Sequence, residues 1–460
     1  MSTSSNKSWR CLVCGYVHQG DEPPKSCPVC GTSGDDFEEF EMAVSTEAPM
    51  EGAAAKGGSA LRVVVAGAGI AGVSAAEAVR EVLPDASLTL LSREKNRPYY
   101  RMNLTRFLAG EVEEDRNFIH PADWYEDRRI DLQLGVSAAA IDPAAHEVRL
   151  DVGRKLQFDR LVLACGAQSF MPPVPGMGLK GVWGLRTLED AKGILAAAEK
   201  GGRWICVGGG ILGVETAGAL ARRGAKVTLL ENSEWLMSRQ LNRRGGELLA
   251  GCAARMGIQV MTMARTKDLT GGKKVTEVTL ENGERLPADG VVISAGVRSE
   301  TLMARETGLK VNLGVMVGDS METSVPGIYA AGDMAEHRGV LYGTWGPAQI
   351  QGRVAGLNAA GQKTGLGAMA RSNTLKVLGL PVFSIGRTAI KDDRDVLAEE
   401  GAGERYACLL FREQRLEGGI LMGDIAAASR LKNAIESAED LGWLLSRGLP
   451  AWRLVESLRE

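Results

Sequence analysis

A glycine-rich pattern that occurs twice in the chain constrains the fold more than any other feature of the sequence. In the first copy, an apolar run leads into Gly67, Gly69 and Gly72, and a helical stretch and a second apolar run then end near Glu94. In such a unit the first glycine makes a tight turn, the second lets the backbone approach a pyrophosphate, and the third lets the helix pack on the strand. The acid after the second strand is an acceptor for ribose hydroxyls.

The second copy follows the same order of elements. Strand-like residues 204–207 precede Gly208, Gly210 and Gly213, and a helix and a strand then lead to Glu231. Two ordinary strand–helix turns are the alternative, but two complete copies favour two dinucleotide-binding units in an α/β fold with parallel sheets. The carboxylate of Glu231 would accept the 2′-hydroxyl of the adenosine ribose and repel a 2′-phosphate, which favours NADH over NADPH.

The cysteines are distributed unevenly, since four of the eight lie within the first 30 residues. Cys11 and Cys14 form one C-x-x-C-G pair, and Cys27 and Cys30 form a second pair after a 12-residue loop. Four thiolates at this spacing can surround one metal ion tetrahedrally, and the glycines allow tight backbone folding around each pair. The spacing suits iron as well as zinc, so a structural zinc ribbon stays open.

Charge and hydropathy exclude several classes of function. The formal net charge is -3 and no basic run is present, so nothing points to nucleic acid. No apolar run approaches the roughly 18 residues that a membrane-spanning helix needs, and the N-terminus lacks the apolar segment of a secretory signal. We therefore expect a cytoplasmic protein without membrane insertion.

The N-terminal segment resembles a rubredoxin-like domain of the rubrerythrin type. The resemblance is carried by Trp9 before the first cysteine pair, Tyr16 after it, the C-P-x-C-G form of the second pair and Phe37 beyond it. It covers residues 8–41 and implies one iron that cycles between the ferric and ferrous states.

Several stretches of the remaining chain resemble the two-dinucleotide flavoprotein reductases of the pyridine nucleotide–disulfide oxidoreductase superfamily. They are PYYRMNLTRFLAGE (98–111), LVLACGA (161–167), ADGVVISAGVR (288–298), TSVPGIYAAGDMAEH (323–337) and YGTWGPAQIQGRVAG (342–356). Together they are most similar to the branch of NADH:rubredoxin oxidoreductases and nitrite reductase flavin domains. The resemblance implies an α/β fold with two Rossmann-like domains for FAD and NAD, a C-terminal α/β interface domain, and a small rubredoxin-like metal-binding domain in front.

The two resemblances divide the chain into segments. They are a rubredoxin-like iron domain (1–42), termed the head below; a flexible linker (43–60); an FAD-binding domain (61–172 and 296–364); an inserted NAD-binding domain (173–295); and a C-terminal interface domain (365–460). Residues 61–460 are termed the body.

The resemblances also imply which residues hold the cofactors. The adenosine half of FAD would be held by Gly67, Gly69, Gly72 and Glu94, with Arg101 beside the cofactor. The turn of Ala164 and Gly166 would lie at the crossover into the NAD-binding domain, and Asp333 would bind the ribityl chain or the pyrophosphate of FAD. NADH would be held by Gly208, Gly210, Gly213, Glu215, Glu231 and Gly296, with Glu215 at the nicotinamide end. One iron, with zinc as the alternative, would be held by Cys11, Cys14, Cys27 and Cys30.

One departure from the superfamily limits the chemistry. Its disulfide reductases carry a C-x4-C pair after the flavin ribose acid, and its peroxidases carry one cysteine there, whereas residues 99–104 of this chain contain none. A thiol relay therefore lacks its nucleophile, and no side chain is assigned as acid, base or nucleophile. Cys165 stands where the family has threonine and is expected to be structural, like the other three cysteines of the body. His337 is expected to be a surface histidine rather than a proton donor.

The combined features predict an NADH-dependent reductase. NADH delivers two electrons as a hydride, a rubredoxin iron takes one, and FAD can divide the pair. The expected acceptor is a rubredoxin, a rubrerythrin or a larger electron-transfer complex, and both a homodimer and a subunit of such a complex stay open. Two alternatives also stay open: an NADH oxidase with a structural zinc head, and a zinc module that recruits a partner protein to a flavoprotein.

Overall fold

The head folds as a small antiparallel sheet. The computed structural model describes residues 7–11, 16–27, 33–39, 60–367, 369 and 372–459. The described residues of the head form a 3-10 helix at Gly34–Asp36 and three strands, namely β1 (Ser8–Cys11), β2 (Val17–Gln19) and β3 (Phe37–Glu39), in the sheet order β2-β1-β3. Cys14, Cys30 and residues 43–59 of the predicted linker lie outside the described residues, so what the sequence predicts for them stays a prediction.

The first glycine pattern lies between a strand and a helix, as predicted. The elements up to residue 172 are β4 (Arg62–Ala66), α1 (Ile70–Val82), β5 (Ser87–Ser92), α2 (Leu104–Ala109), α3 (Asp123–Asp127), β6 (Ile130–Leu134), β7 (Ala138–Asp142), β8 (Glu147–Leu150), β9 (Lys155–Gln157), β10 (Arg160–Leu163) and β11 (Ala167–Ser169). Val63, Val64 and Val65 of β4 are all buried. Such a continuous apolar run is typical of a parallel strand that is covered on both faces of the sheet.

The second glycine pattern repeats this arrangement in a separate parallel sheet. Its elements are β12 (Val182–Gly184), α4 (Leu188–Ala198), β13 (Arg203–Val207), α5 (Ile211–Arg222), β14 (Lys226–Leu230), α6 (Arg243–Arg255), β15 (Gln259–Met261), β16 (Thr266–Gly271), β17 (Val275–Leu280), β18 (Arg285–Pro287), β19 (Gly290–Ile293) and β20 (Val297–Ser299). The parallel sheet has the order β12-β19-β13-β14-β15, and β16-β17-β18 form an antiparallel sheet beside it.

The chain then returns to the first sheet. The elements of this part are α7 (Leu302–Glu306), β21 (Val315–Val317), β22 (Ile328–Ala330), β23 (Ala335–His337) and α8 (Trp345–Ala359). Strand β22 pairs in parallel with β10 and completes the order β22-β10-β4-β5-β6. The first sheet is therefore built from two stretches of chain that lie on either side of the second sheet in sequence.

Helices α1 and α8 pack against each other without side chains between them at two points. A Cβ added at Gly352 would lie 2.1 Å from the carbonyl oxygen of Ala71, and one at Gly356 would lie 2.3 Å from that of Ala75. Both positions require glycine, since a Cβ does not approach a backbone oxygen this closely.

The C-terminal part is an antiparallel sheet covered by helices. Its elements are β24 (Ser372–Val377), β25 (Leu380–Gly386), β26 (Asp395–Ala402), β27 (Arg405–Arg412), β28 (Arg415–Met422), α9 (Ala428–Glu436), α10 (Gly442–Leu445) and α11 (Ala451–Arg459). The sheet order is β24-β25-β28-β27-β26, and residues such as Phe411, Leu431 and Leu454 form a core between sheet and helices. The predicted α/β fold is confirmed. None of the described helices has the length and hydropathy that crossing a membrane requires.

Candidate functional site

A cavity of about 1030 Å³ lies at the carboxyl ends of strands in the first sheet. It is lined by Gly67 after β4, Ala164 after β10 and Ala331 after β22. The carboxyl ends of parallel strands meet at one edge of a sheet, where ligands of open α/β folds bind. Ile211 and Glu215 of α5 line the same cavity, so it joins the two nucleotide-binding patterns.

The first glycine turn has the shape that its sequence predicts. Gly67 has a φ of +112°, and a Cβ there would lie 2.2 Å from the carbonyl oxygen of Ala164. A Cβ at Gly72 would lie 1.8 Å from the carbonyl oxygen of Gly67, so helix and turn are in close contact. A Cβ at Gly69 would meet no atom within 4 Å, because this position faces open space at the start of α1. The turn therefore leaves room for a ligand against the positive end of a helix.

Glu94 is held by two neighbours on the cavity wall. Arg101 donates through Nη2 to Oε1 of Glu94 at 2.5 Å, and the Tyr99 hydroxyl donates to Oε2 at 2.7 Å. Arg101 also donates to the Tyr99 hydroxyl at 3.0 Å and to the carbonyl oxygen of Arg186. The predicted ribose acceptor and the predicted cofactor neighbour thus form one charged network.

Asp333 also lines the cavity and lies in a 3-10 helix that follows β22. Its Oδ2 accepts a hydrogen bond from Nη2 of Arg186 at 2.7 Å. The Ser299 hydroxyl donates to the Asp333 carbonyl oxygen at 2.7 Å, and the Gly332 amide donates to Oε1 of Gln351 at 2.9 Å. These contacts fix the position of the carboxylate at the cavity.

The turn of Ala164, Cys165 and Gly166 also lines the cavity. Gly166 has a φ of +73°, and Cys165 donates through Sγ to the carbonyl oxygen of Ala66 at 3.3 Å. Burial raises the pKa of the Cys165 thiol to about 11, so the thiolate needed for redox chemistry is disfavoured near neutral pH. Cys206, Cys252 and Cys408 are buried among apolar side chains, as expected for structural cysteines.

Glu215 lies at the boundary between the two units. Its Oε2 accepts a hydrogen bond from the Thr105 hydroxyl at 2.8 Å, which links α5 to α2. Burial raises the pKa of the Glu215 carboxyl to about 7, so the group changes protonation near physiological pH.

The second glycine turn repeats the geometry of the first. Gly208 has a φ of +109°, and a Cβ at Gly213 would lie 1.8 Å from the Gly208 carbonyl oxygen. Gly210, like Gly69, faces open space at the start of a helix. Gly296 has a φ of +104°, and a Cβ added there would also meet no atom within 4 Å. The structure places these four glycines outside the lining of the main cavity.

Glu231 lies beside the second turn and also outside the lining of the main cavity. Its carboxylate accepts hydrogen bonds from the backbone amides of Gly209 and Ser233, both at 2.6 Å. The carboxylate therefore occupies two amides that would otherwise be available to an anion.

The cavity fits a polar dinucleotide such as FAD. Within the described residues, Nε1 of Trp345 and Nδ2 of Asn103 have no hydrogen-bond partner, and both residues line the cavity. Buried polar atoms are normally paired, so two unused donors in the same cavity as the open glycine turn suit a ligand with many acceptor atoms.

Two residues of the cavity, Arg186 and Thr105, were not predicted from the sequence. Arg186 lies in a stretch without a motif, and Thr105 lies inside the 98–111 stretch but carries no signal of its own.

The expectation of a surface position for His337 is wrong: the side chain is fully buried, and its Nε2 lies 2.8 Å from Oδ1 of Asp319. The Asp319 carboxylate satisfies one ring nitrogen of this buried histidine, whereas Nδ1 has no hydrogen-bond partner among the described residues.

The two described cysteines of the head lie together in one buried cluster. Cys11 and Cys27 are 1% and 2% exposed and share this cluster with Phe37. The Cys11 amide donates to the carbonyl oxygen of Tyr16 at 2.7 Å. This arrangement suits metal ligands, and Cys14 and Cys30 lie outside the described residues.

Models of known families match three successive parts of the chain. The pyridine nucleotide-disulphide oxidoreductase model matches residues 61–359. The model of the rubredoxin NAD+ reductase C-terminal domain matches residues 372–439, and that of the rubrerythrin rubredoxin-like domain matches residues 9–38.

Individual proteins are similar over most of the chain. The NADH-rubredoxin oxidoreductase of Clostridium acetobutylicum is 30% identical over 378 residues, which are 82% of this chain and 95% of that protein. The crystal structure of the NADH:rubredoxin oxidoreductase from this organism has a TM-score of 0.72 at 30% identity and is matched over 84% of this chain and 97% of that one. The NAD(P)H nitrite reductase of Bacillus subtilis is 32% identical over 384 residues, which are 83% of this chain.

The relatives differ in length. This chain covers 48% of the Bacillus subtilis nitrite reductase, and it covers 50% of the assimilatory nitrate reductase electron transfer subunit of the same organism. It thus spans about half the length of these two proteins. The match over 61–359 and the similarity to the clostridial protein show that the chain belongs to the pyridine nucleotide-disulphide oxidoreductase family, in the branch of NADH:rubredoxin oxidoreductases and nitrite reductases.

Proposed function

We propose that the protein is an NADH-dependent flavoprotein reductase that passes electrons through FAD to an iron in its own head and then to a redox partner protein. The observation that carries the proposal is the cavity. It brings together the first glycine turn, Glu215 of the second unit, and Trp345, which also packs against the cysteine cluster of the head. The domain boundaries given above belong to this proposal.

The first unit is proposed to hold FAD. The adenosine half would lie along Gly67, Gly69 and Gly72, where the open position at Gly69 leaves space for the pyrophosphate. Glu94, Arg101, Ala164, Gly166 and Asp333 complete the proposed FAD site. When bound, FAD accepts the two electrons of a hydride and releases them singly.

The second unit is proposed to hold NADH. The glycine residues of this site are Gly208, Gly210, Gly213 and Gly296, and Glu231 would select against a 2′-phosphate. Among the residues assigned to NADH, Glu215 is the one that lines the main cavity, which supports its assignment to the nicotinamide end.

The head is proposed to hold one iron through Cys11, Cys14, Cys27 and Cys30. The match to the rubrerythrin rubredoxin-like domain supports iron over zinc. The partner would be a rubredoxin, a rubrerythrin or a larger electron-transfer complex, as the names of the relatives suggest. We place the protein in the cytoplasm, where thiols are kept reduced and can bind a metal.

An anaerobic NADH titration of the purified protein, with metal analysis and visible spectra, tests this function. We expect one FAD and one iron per chain and three electrons taken up at the end point, two by FAD and one by iron. The same protein loaded with zinc is the control and should take up two electrons.

Other outcomes would favour the alternatives. Zinc in the purified protein would support a structural or partner-recruiting head. Iron that stays ferric while FAD is reduced, together with hydrogen peroxide formation in air, would support an NADH oxidase.

A further inference from the structure

The described part of the head lies directly against the wall of the cavity. Tyr16 of the head contacts Tyr100 of the body with ring centroids 6.3 Å apart, and Tyr100 contacts Trp345 with centroids 5.5 Å apart. Cys11 and Cys27 belong to the same apolar cluster as Tyr100. The buried cysteines therefore face the body rather than solvent.

Two side chains belong both to the cavity and to the contact with the head. Trp345 and Met102 line the cavity, and both also pack against the cluster that contains Cys11 and Cys27. A single layer of side chains thus separates the two sites at this point.

Gln349 fixes the head by two hydrogen bonds. Its Oε1 accepts from the backbone amide of Val17 at 3.0 Å, and its Nε2 donates to the carbonyl oxygen of Val17 at 3.0 Å. Gln349 lies one turn after Trp345 on α8, so the same helix lines the cavity through Trp345 and binds the head through Gln349. Hydrogen bonds to both backbone groups of one residue define its orientation as well as its position.

A third contact comes from the C-terminal part of the body. The Ser429 hydroxyl donates to Oε2 of Glu38 at 2.9 Å, and Glu38 also pairs with Arg10 within the head. Lys432 lies next to this pair, and its pKa is lowered by burial and by the charge of Arg10. The head is therefore held by two separate parts of the body.

We propose that the surface formed by Tyr100, Met102, Trp345, Gln349 and Ser429 is the docking site of the chain's own head, with Gln349 as a positioning residue for electron transfer. The inference rests on the proposed function. For each NADH oxidised to NAD+ and a proton, the single iron of the chain is reduced from ferric to ferrous twice, in successive one-electron steps, and the redox partner protein takes one electron from it after each step. Because the head covers this surface, a separate acceptor protein receives electrons from the head and not from the body.

The test compares Gln349→Leu with the parent protein, both loaded with FAD and iron. Gln349→Leu removes both hydrogen bonds to Val17, whereas Gln349→Glu keeps an acceptor for the Val17 amide and should have a smaller effect. Gln259→Leu, at an exposed position of β15, is the matched control. Two readouts are needed: hydrogen–deuterium exchange of peptides that contain Val17, and anaerobic stopped-flow spectra that follow FAD and iron separately.

We expect faster exchange at Val17 and iron reduction slowed about tenfold in Gln349→Leu, since two hydrogen bonds are lost. The rate of FAD reduction by NADH should not change. In the parent protein, the rate constant of iron reduction should not depend on protein concentration, because the donor and acceptor are in one chain.

The outcomes separate the two proposals. Iron that stays ferric in the parent protein would refute the proposed function and this inference with it. If the parent iron is reduced, an unchanged exchange rate or iron reduction rate in Gln349→Leu would overturn the docking site alone. A rate constant that rises with protein concentration would also overturn it, because the head would then dock on another copy.

Discussion

Nη2 of Arg101 lies 2.5 Å from Oε1 of Glu94, and both side chains are largely shielded from solvent, at 26% and 18% exposed. Arg101 thus holds the Glu94 carboxylate at the cavity, where we propose that it binds the ribose of FAD. Removal of one charge leaves the other without its ionic partner, which is more costly than removal of both.

We therefore expect Arg101→Met to lower the free energy of unfolding by about 2 kcal/mol, and a second change, Glu94→Gln, to restore part of the loss. Urea unfolding of the parent, the two single variants and the double variant at saturating FAD measures the coupling. A coupling energy near zero would show that the pair does not act as a unit.

Gly69→Ala is expected to weaken FAD binding without weakening the fold. The backbone of Gly69 has a φ of -73°, which alanine adopts freely, and the added Cβ meets no protein atom. It projects into the space assigned to the pyrophosphate, so the dissociation constant of FAD should rise about tenfold or more. Fluorescence titration of the FAD-free protein measures this constant. Gly67→Ala should instead reduce both FAD binding and thermal stability, because its Cβ would collide with Ala164; equal effects of the two variants would contradict the assignment.

Glu231→Ala is expected to shift the cofactor preference towards NADPH. The substitution removes a negative charge and exposes the amides of Gly209 and Ser233, which can then bind a 2′-phosphate. The ratio of kcat/KM for NADPH to that for NADH should rise about a hundredfold, measured with ferricyanide as the electron acceptor. An unchanged ratio would place the adenosine ribose elsewhere.

Glu215→Gln is expected to change how stability depends on pH. Burial raises the pKa of the Glu215 carboxyl from 4.5 to about 7, so between these values the folded protein binds more protons than the unfolded chain. The free energy of unfolding of the parent should therefore fall as the pH rises through this range. Above pH 7 the contribution of the Glu215 carboxyl should no longer change with pH. The Glu215→Gln variant buries no charge at this position. At pH 8 its free energy of unfolding should exceed that of the parent by an amount on the order of 3 kcal/mol.

The advantage of Glu215→Gln should shrink as the pH is lowered towards 5. Denaturant unfolding at several pH values measures it. Glu247→Gln, at an exposed position of α6, is the matched control for the substitution. A constant advantage of Glu215→Gln would mean that the carboxyl does not titrate in this range.

The glycine turns could be predicted from the sequence because their requirements are local. A positive φ at Gly67 and the close approach of Gly72 to its carbonyl oxygen concern residues a few positions apart. The burial of β4 followed in the same way from its run of valines. Such features leave a spacing pattern that can be read before the fold is known.

The remaining contacts of the site depend on residues far apart in the chain. Arg186 reaches Asp333, and Thr105 reaches Glu215, only after the two sheets have packed together. Gln349 lies inside the 342–356 stretch, but nothing in that stretch indicates contact with the head, since a glutamine on a helix is most often a solvated residue. These partners follow from tertiary packing, which a single sequence does not display.

The glycine contacts between α1 and α8 join the proposed FAD site to the surface that binds the head. Helix α1 starts at the turn assigned to FAD, and α8 carries the residues that grip the head. Gly352 and Gly356 of α8 lie directly against the backbone of α1, with no side chain between the two helices at these points. Main-chain contact between α1 and α8 therefore links the turn that we assign to FAD with the surface that holds the head.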